Sequence, residues 1–192
     1  MPSTLLSPAC LASAQRQDAA VLVDIHHAAV HQTAAQFYEP AILHDWSPTP
    51  TPTRIERFEC MLKASSGVWL VAKQVDQIVG FGVLVPAERL LRGLYVHPTA
   101  GRQGVGSQLL RALEEVAVRQ GVSQLHVHAA LNAIGFYQQR GYQGIATRQH
   151  CLPSGKFMYC LDMYKPLGQE RVRAFRQPCP VVSPVPSCYN FS

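Results

Sequence analysis

Residues 101–107 read Gly-Arg-Gln-Gly-Val-Gly-Ser, with three glycines, one arginine and no acidic residue. The segment joins an apolar stretch, LYVHP, to an amphipathic run that continues to about residue 120. A helix starting just after such a turn presents unpaired backbone N–H groups and the positive end of its dipole. Glycines remove side chains that would block an anion, so a phosphate or pyrophosphate settles there readily. Arg102 adds a fixed positive charge beside it. Two known phosphate motifs compete for these letters, and neither fits. The P-loop has its spacing in Gly101 and Gly106, but Ser107 and Gln108 stand where lysine and a hydroxyl residue belong. The dinucleotide fingerprint G-x-G-x-x-G fails at its last glycine, where Leu109 stands.

A second group of residues suits proton transfer. His126 and His128 alternate with Leu125 and Val127, so both imidazoles emerge on one face of a strand. An unperturbed imidazole titrates near ~6.5 and accepts a proton from an ammonium directly or through water. His128 is the preferred base, with His126, Glu88 or a plain water path as the other options. Metal chemistry is not expected. His27 and His31 stand four apart on one helix face but lack the Glu of H-E-x-x-H, and the six cysteines form no C-x-x-C pair. The cysteines read as reduced thiols.

The elements that position these groups follow from periodicity. Asp18 to Tyr38 and Tyr38 to Trp46 read as helices, and RIERFECMLKAS as a third. VWLVAKQ and QIVGFGVLVP, separated by Val75–Asp76, form a hairpin. RLLRGLYVHP is a strand that runs into the helix at about 104–120. SQLHVHAA is another strand, NAIGFYQQRG a short helix, and YQGIATRQHCL with KFMYCLDMYKP a closing hairpin. The fold class is α/β (α+β): two or three helices, then β-β-β-α-β-α-β-β, in its shorter form α-α-β-β-β-α-β-α-β-β. Residues 1–17 are expected as a flexible leader and 18–168 as one domain. Residues 169–192, rich in proline, are expected as a disordered tail.

An apolar fraction of 47% and a charged fraction of 15% describe a globular chain. No stretch has the ~18 apolar residues of a membrane span, and no signal peptide is evident, so a cytoplasmic protein is expected. The formal charge of +5 is partly carried by Arg171, Arg173 and Arg176 near the end, which is no nucleic-acid stripe.

Strand, V-x-P, a glycine loop ending G-x-G, and an amphipathic helix together resemble the acetyl-CoA site of the GNAT superfamily of N-acetyltransferases. VGFGVLV looks like the family's third strand, and AIGFYQQRGYQ like its A-x-x-F-Y-x-x-x-G-[FY] segment. YEPAILHDWSP and SGKFMYCLDMYKPL look most like the YafP-like branch. The likeness spans roughly Asp18 to Leu167, and the family's sheet is mixed and mostly antiparallel, with helices on both faces. Three positions depart from the family pattern. Gly101 stands where Gln or Arg is usual, Ala130 where an Asn is frequent, and Arg92–Gly93 where an acidic base is often found.

The resemblance implies a site. Backbone groups of Leu94, Tyr95 and Val96 would hold the acetyl and pantetheine end of acetyl-CoA, commonly beside a bulge in that strand. Main-chain amides of Arg102, Gln103, Gly104, Val105, Gly106 and Ser107 would hold the pyrophosphate. Tyr137 would return a proton to the coenzyme A sulfur. The implied activity is direct transfer of an acetyl group, in a ternary complex, to a primary amine on a small molecule or a peptide, the small molecule being favoured. The alternative is an acyl-CoA-binding regulatory domain without turnover. Tyr38, Trp46, Trp69 and Phe81 are candidates for an acceptor pocket, and Thr147, Arg148 and His150 for acceptor contacts. No nucleic-acid or membrane partner is expected, and the protein is expected to be a monomer or homodimer.

Overall fold

Prolines and turn geometry set many of the element ends. The computed structural model describes residues 9–64 and 67–168. Helix α1 spans Ala19–Thr33, α2 Pro40–Trp46 and α3 Pro52–Lys63. Both α2 and α3 begin at a proline, where the missing N–H costs nothing. Thr51 caps α3 by accepting from the Arg54 amide at 3.3 Å. The third early helix is therefore present.

Strands β2 (Val68–Gln74) and β3 (Gln77–Val85) form the expected hairpin. Val75 and Asp76 turn it with φ of 46° and 64°, both left-handed, as a tight turn matched to strand twist requires. β4 (Leu90–Val96), α4 (Val105–Arg119), β5 (Gln124–Ala130), α5 (Ile134–Gln138), β6 (Gln143–Cys151) and β7 (Phe157–Pro166) follow in the order read from the pattern.

One expectation is corrected. Residues 1–17 were to be a flexible leader, yet Cys10–Ser13 form a strand, β1, antiparallel to β2 with Leu11 opposite Ala72. Four residues carry too little periodicity to announce a strand. The pairing is supplied by the open edge of β2, and Leu11 packs beside Leu109 and Val105 of α4. Residues 169–192 lie outside the described residues.

The seven strands run β1-β2-β3-β4-β5-β7-β6, and every neighbouring pair is antiparallel except β4–β5. The class is mixed α/β with a mostly antiparallel sheet, as expected. One face is covered by α4 and α5, where Leu110, Leu113, Leu125, Val127 and Met163 form a core. On the other face α1 and α3 bury Leu22, Phe58, Trp69, Phe81 and Val83. Each such side chain withdrawn from water contributes ~1.5–3 kcal/mol of hydrophobic stabilisation.

Candidate active site

The sheet is interrupted at its centre. β4 and β5 are parallel but pair only at Leu90–His126 and Leu91–Val127. Beyond those two positions β4 is paired with β3 alone, and β5 with β7 alone. A V-shaped cleft results, and its two edges present main-chain N–H and C=O groups with no strand partner across it. A bulge stands where the strands part. Val83 pairs with Gly93 and Leu84 with Leu91, so Arg92 is the extra residue in β4. A bulge bends its strand and strengthens the twist, which turns the end of β4 away from β5. Leu94, Tyr95 and Val96 form the open β4 edge.

The glycine turn lies at the end of that edge. A 3-10 turn over Pro98–Ala100 leads to Gly101, and α4 starts after Gly104, which adopts φ of 82°. A Cβ on Gly104 would meet nothing within 4 Å, so the residue is required for its backbone angle and not for space. Arg102 also has a left-handed φ of 59°, a conformation that costs a non-glycine residue about 1–3 kcal/mol and gathers at ligand-binding turns. The amides of Val105, Gly106 and Ser107 belong to the first turn of α4 and have no intrahelical acceptor. Gln103 differs from the expectation in its side chain. Its Nε2 donates to the Thr99 carbonyl at 2.9 Å and its Oε1 accepts from Gln74 at 3.2 Å, so it braces the turn and leaves its main chain to the cleft.

Arg140 was missed in the sequence. Its guanidinium lies 3.8 Å from the centre of the Phe136 ring, and it donates to the Phe136 carbonyl at 2.8 Å and to Ser107 Oγ. A second cation thus stands at the start of α4, delivered by the turn that follows α5. Its distance from the glycine turn in sequence hides it. The Arg one residue ahead of Gly141 in the F-Y-x-x-x-G segment was the available signal.

Tyr137 is buried in α5, packed edge-on against Phe136 and Tyr142. Burial pushes its phenol up, so the hydroxyl holds its proton throughout the neutral range.

Across the V, the residues of β5 alternate as expected. Leu125, Val127 and Ala129 enter the α4-side core, and His126 and His128 emerge on the opposite face, beyond the cover of α1–α3. There a cavity of about 240 Å³ is lined by Glu88, Leu90, His126, His128, Arg148 and Asp162, among others. It lies beside the β4–β5 pair, with Leu90, His126 and Val127 in its lining. His128 Nδ1 lies 2.6 Å from Asp162 Oδ1, and Arg148 Nε donates to both Asp162 oxygens at 2.7 and 2.8 Å. Burial raises the Asp162 carboxyl, but hydrogen bonds from Arg148 and His128 outweigh it and hold the group below the usual carboxylate range. Glu88 accepts from Arg92 with both oxygens, at 2.9 and 3.0 Å. His126 Nε2 accepts from the Gln124 side-chain amide at 3.0 Å.

The aromatic candidates divide. Trp69 and Phe81 stack at 6.1 Å inside the core and are not available to a pocket. Tyr38 links the end of β5 to β7: its hydroxyl accepts from the Leu131 amide at 2.8 Å and donates to the Tyr159 carbonyl at 2.7 Å. Burial raises its phenol to about 12. Trp46 packs edge-on against Tyr38 and His26. His150 lies half-buried, lowered by burial and by the neighbouring His128 and Arg148.

Two buried acceptors, Asn132 Oδ1 and Gln108 Oε1, find no donor among the described residues. Asn132 follows the free end of β5 and Gln108 lies one turn into α4, so both flank the cleft by position. The open strand edges, the glycine turn and these acceptors fit an elongated ligand bearing amide groups at one end and a diphosphate at the other. Among the described residues no group of three or more His, Cys, Asp or Glu is placed to hold a metal ion.

The sheet is thus split at its one parallel pair, with the start of α4 and its glycine turn at the end of the open β4 edge. Residues 27–142 match the Acetyltransferase (GNAT) family, and the chain belongs to it. It is therefore an acyltransferase. The chain is 30% identical over 138 residues to the uncharacterized N-acetyltransferase YafP of Escherichia coli strain K12, covering 72% of this chain and 83% of YafP. It superposes with a TM-score of 0.77 on a GCN5-related N-acetyltransferase from Rhodopseudomonas palustris, at 29% identity over 86% of this chain and all of that one. The fold is also that of yncA, a putative acetyltransferase from Salmonella typhimurium solved with acetyl-CoA. There the TM-score is 0.61 at 20% identity, over 90% of this chain and all of that one. No helix among the described residues is long and apolar enough to cross a membrane.

Proposed function

We propose that the protein transfers an acetyl group from acetyl-CoA to a primary amine, with both substrates bound at once and a small molecule as the acceptor. The carrying observation is the two-residue β4–β5 pairing, which opens the sheet directly above the glycine turn. Acetyl-CoA supplies the thioester whose acyl group moves. The free main-chain groups of Leu94, Tyr95 and Val96 would hold its amide-bearing arm as an added strand. Amides from Arg102 to Ser107 would take the diphosphate at the start of α4, with Arg102 and Arg140 as cations beside them.

Three chemical demands are then met by this chain's own groups. His128 takes a proton from the incoming ammonium, so that a neutral amine attacks the thioester carbonyl. Main-chain N–H groups on the bulged β4 edge stabilise the oxygen that becomes negative. Tyr137, protonated at neutral pH, returns a proton to the departing sulfur. The cavity at the vertex of the V, on the face opposite α4, is where the acceptor would enter. A volume of about 240 Å³ suits a small amine. The acceptor would then approach from one side of the sheet and the cofactor from the other, as direct transfer requires.

The test is calorimetry with coenzyme A, followed by free-thiol release from acetyl-CoA with a panel of small primary amines. Micromolar binding and amine-dependent thiol release are expected. Absence of binding would overturn the reading. Binding without release for any amine or basic peptide would instead favour a regulatory acyl-CoA-binding domain.

A further inference from the structure

Three adjacent strands each place one polar residue at the same spot on the acceptor face. His128 comes from β5, Asp162 from β7 and Arg148 from β6. His128 and Asp162 are direct cross-strand partners. We propose that Asp162 is a positioning residue: by accepting the His128 Nδ1–H it fixes the imidazole tautomer in which Nε2 is the bare nitrogen facing the cavity.

The argument begins with what a carboxylate can do. An ionised Asp accepts hydrogen bonds only, so a 2.6 Å contact to Nδ1 requires the proton to sit on Nδ1. In a neutral imidazole the other nitrogen then carries the lone pair. Arg148 keeps Asp162 in that role. It donates to both carboxylate oxygens, and its charge opposes protonation of the acid. A carboxylate behind a histidine acts this way in hydrolase triads: it holds the tautomer and stabilises the imidazolium without becoming protonated itself.

His126, two residues earlier on the same face, provides an internal contrast. Its Nε2 already accepts from Gln124, so its lone pair is engaged. His128 Nε2 has no hydrogen-bond partner among the described residues, and its side chain is 40% exposed. The other titratable or charged groups around the His128 ring are Glu88 with Arg92 on the β4 side, His126 on its own strand, and Arg148 and His150 on β6. Glu88 is held by Arg92, which leaves Asp162 as the carboxylate bonded to the ring.

The inference rests on the base role proposed above, and its proton balance is simple. The N–H bond of the acceptor ammonium breaks, and the proton goes to His128 Nε2. The imidazolium keeps Nδ1–H on Asp162, and its extra proton leaves to solvent from the exposed ring. Asp162 begins and ends as a carboxylate.

Long-range 15N NMR of the imidazoles in the full chain, without any acceptor, reads the tautomer, and His128→Gln identifies the signal. The wild type should show Nδ1–H with a bare Nε2. In Asp162→Ala no acceptor faces Nδ1, so the Nδ1–H form should lose its preference and Nε2–H should predominate, as in an unpartnered imidazole. Turnover should then fall on the order of 10²-fold, with coenzyme A affinity unchanged. Asp162→Glu, which keeps a carboxylate, should hold the wild-type tautomer and restore part of the rate. A wild-type Nε2–H tautomer, or an unchanged tautomer or rate in Asp162→Ala, overturns the proposal. Thiol release by His128→Gln separates this from the reading beneath it. If that variant turns over normally, the base role itself fails. If it is slow while Asp162→Ala keeps the Nδ1–H tautomer, the positioning role alone fails.

Discussion

The two sides of the cleft are built from different materials. The β4–α4 side offers main chain: an unpaired strand edge, a bulge and the first turn of a helix. The β5–β7–β6 side offers side chains fixed by one another, with His128 on Asp162 and Asp162 on Arg148. The difference teaches where each side is vulnerable. A main-chain site survives most side-chain changes and is damaged through backbone angle alone. A side-chain site loses its chemistry when one atom is replaced, even if the backbone does not move.

The largest effect should come from the side-chain side. His128→Gln is expected to lower turnover on the order of 10²-fold while calorimetry shows unchanged coenzyme A affinity. Equal losses in both would erase the distinction between the two sides. Tyr137→Phe should behave similarly in rate, read by thiol release, because it removes the proton donor and little volume.

Next comes the backbone of the turn. Gly104→Val forces a β-branched residue to φ of 82°, where the cost is about 1–3 kcal/mol. Coenzyme A affinity should fall roughly tenfold or more, and the melting temperature should drop as well. Nothing lies within 4 Å of the added Cβ, so a smaller loss for Gly104→Asn, which tolerates this angle, would confirm that angle and not space is at stake. Arg140→Gln should weaken coenzyme A by a few-fold, and the difference from wild type should shrink as salt is raised.

A pH effect on stability is expected from a buried histidine behind the β4 edge, whose ring lies 4.4 Å from that of Tyr95. His26 is fully buried between α1 and the segment after α2, with Nδ1 2.7 Å from Ser47 Oγ and an Arg54 guanidinium alongside. Burial, then the Arg54 charge, lower it well below the ordinary range, and burial also lowers His27. Folding therefore favours the neutral rings. Their stabilising contribution is present above the unfolded value of about 6.5 and is lost as pH falls toward the lowered folded values. Melting temperature should decline between pH 7 and pH 5, and a flat profile would contradict this. The smallest effect should be at the β2–β3 turn. Val75→Asn relieves a β-branched residue at φ of 46° that is almost fully exposed, for a gain of about 0.5 kcal/mol in denaturant unfolding.

Much of this molecule was legible from one dimension. Period-two and period-3.6 patterns marked β2 to β7 and α1 to α5, and Val75–Asp76 marked a tight turn. Glycine spacing before an amphipathic run marked the helix start at Val105, because the chemistry of that turn lies within a few consecutive residues. β1 was not legible, since its stability belongs to the edge of β2. Asp162 and Arg140 were not legible either. Each acts on a partner 34 and 33 residues away in sequence, and no local spacing encodes such a meeting.

The sequence by itself determined which segments fold as strands or helices and which turn can receive an anion, because those depend on neighbouring backbone angles and side-chain alternation. Only the tertiary structure decided that β4 and β5 part after two residue pairs, and that His126 Nε2 is engaged by Gln124 while His128 Nδ1 meets Asp162. Strand separation and hydrogen-bond partners depend on how β3 holds β4, β7 holds β5 and β6 holds β7. The β4–β5 and β5–β7 pairings join segments far apart in the chain and exist only when the whole sheet assembles.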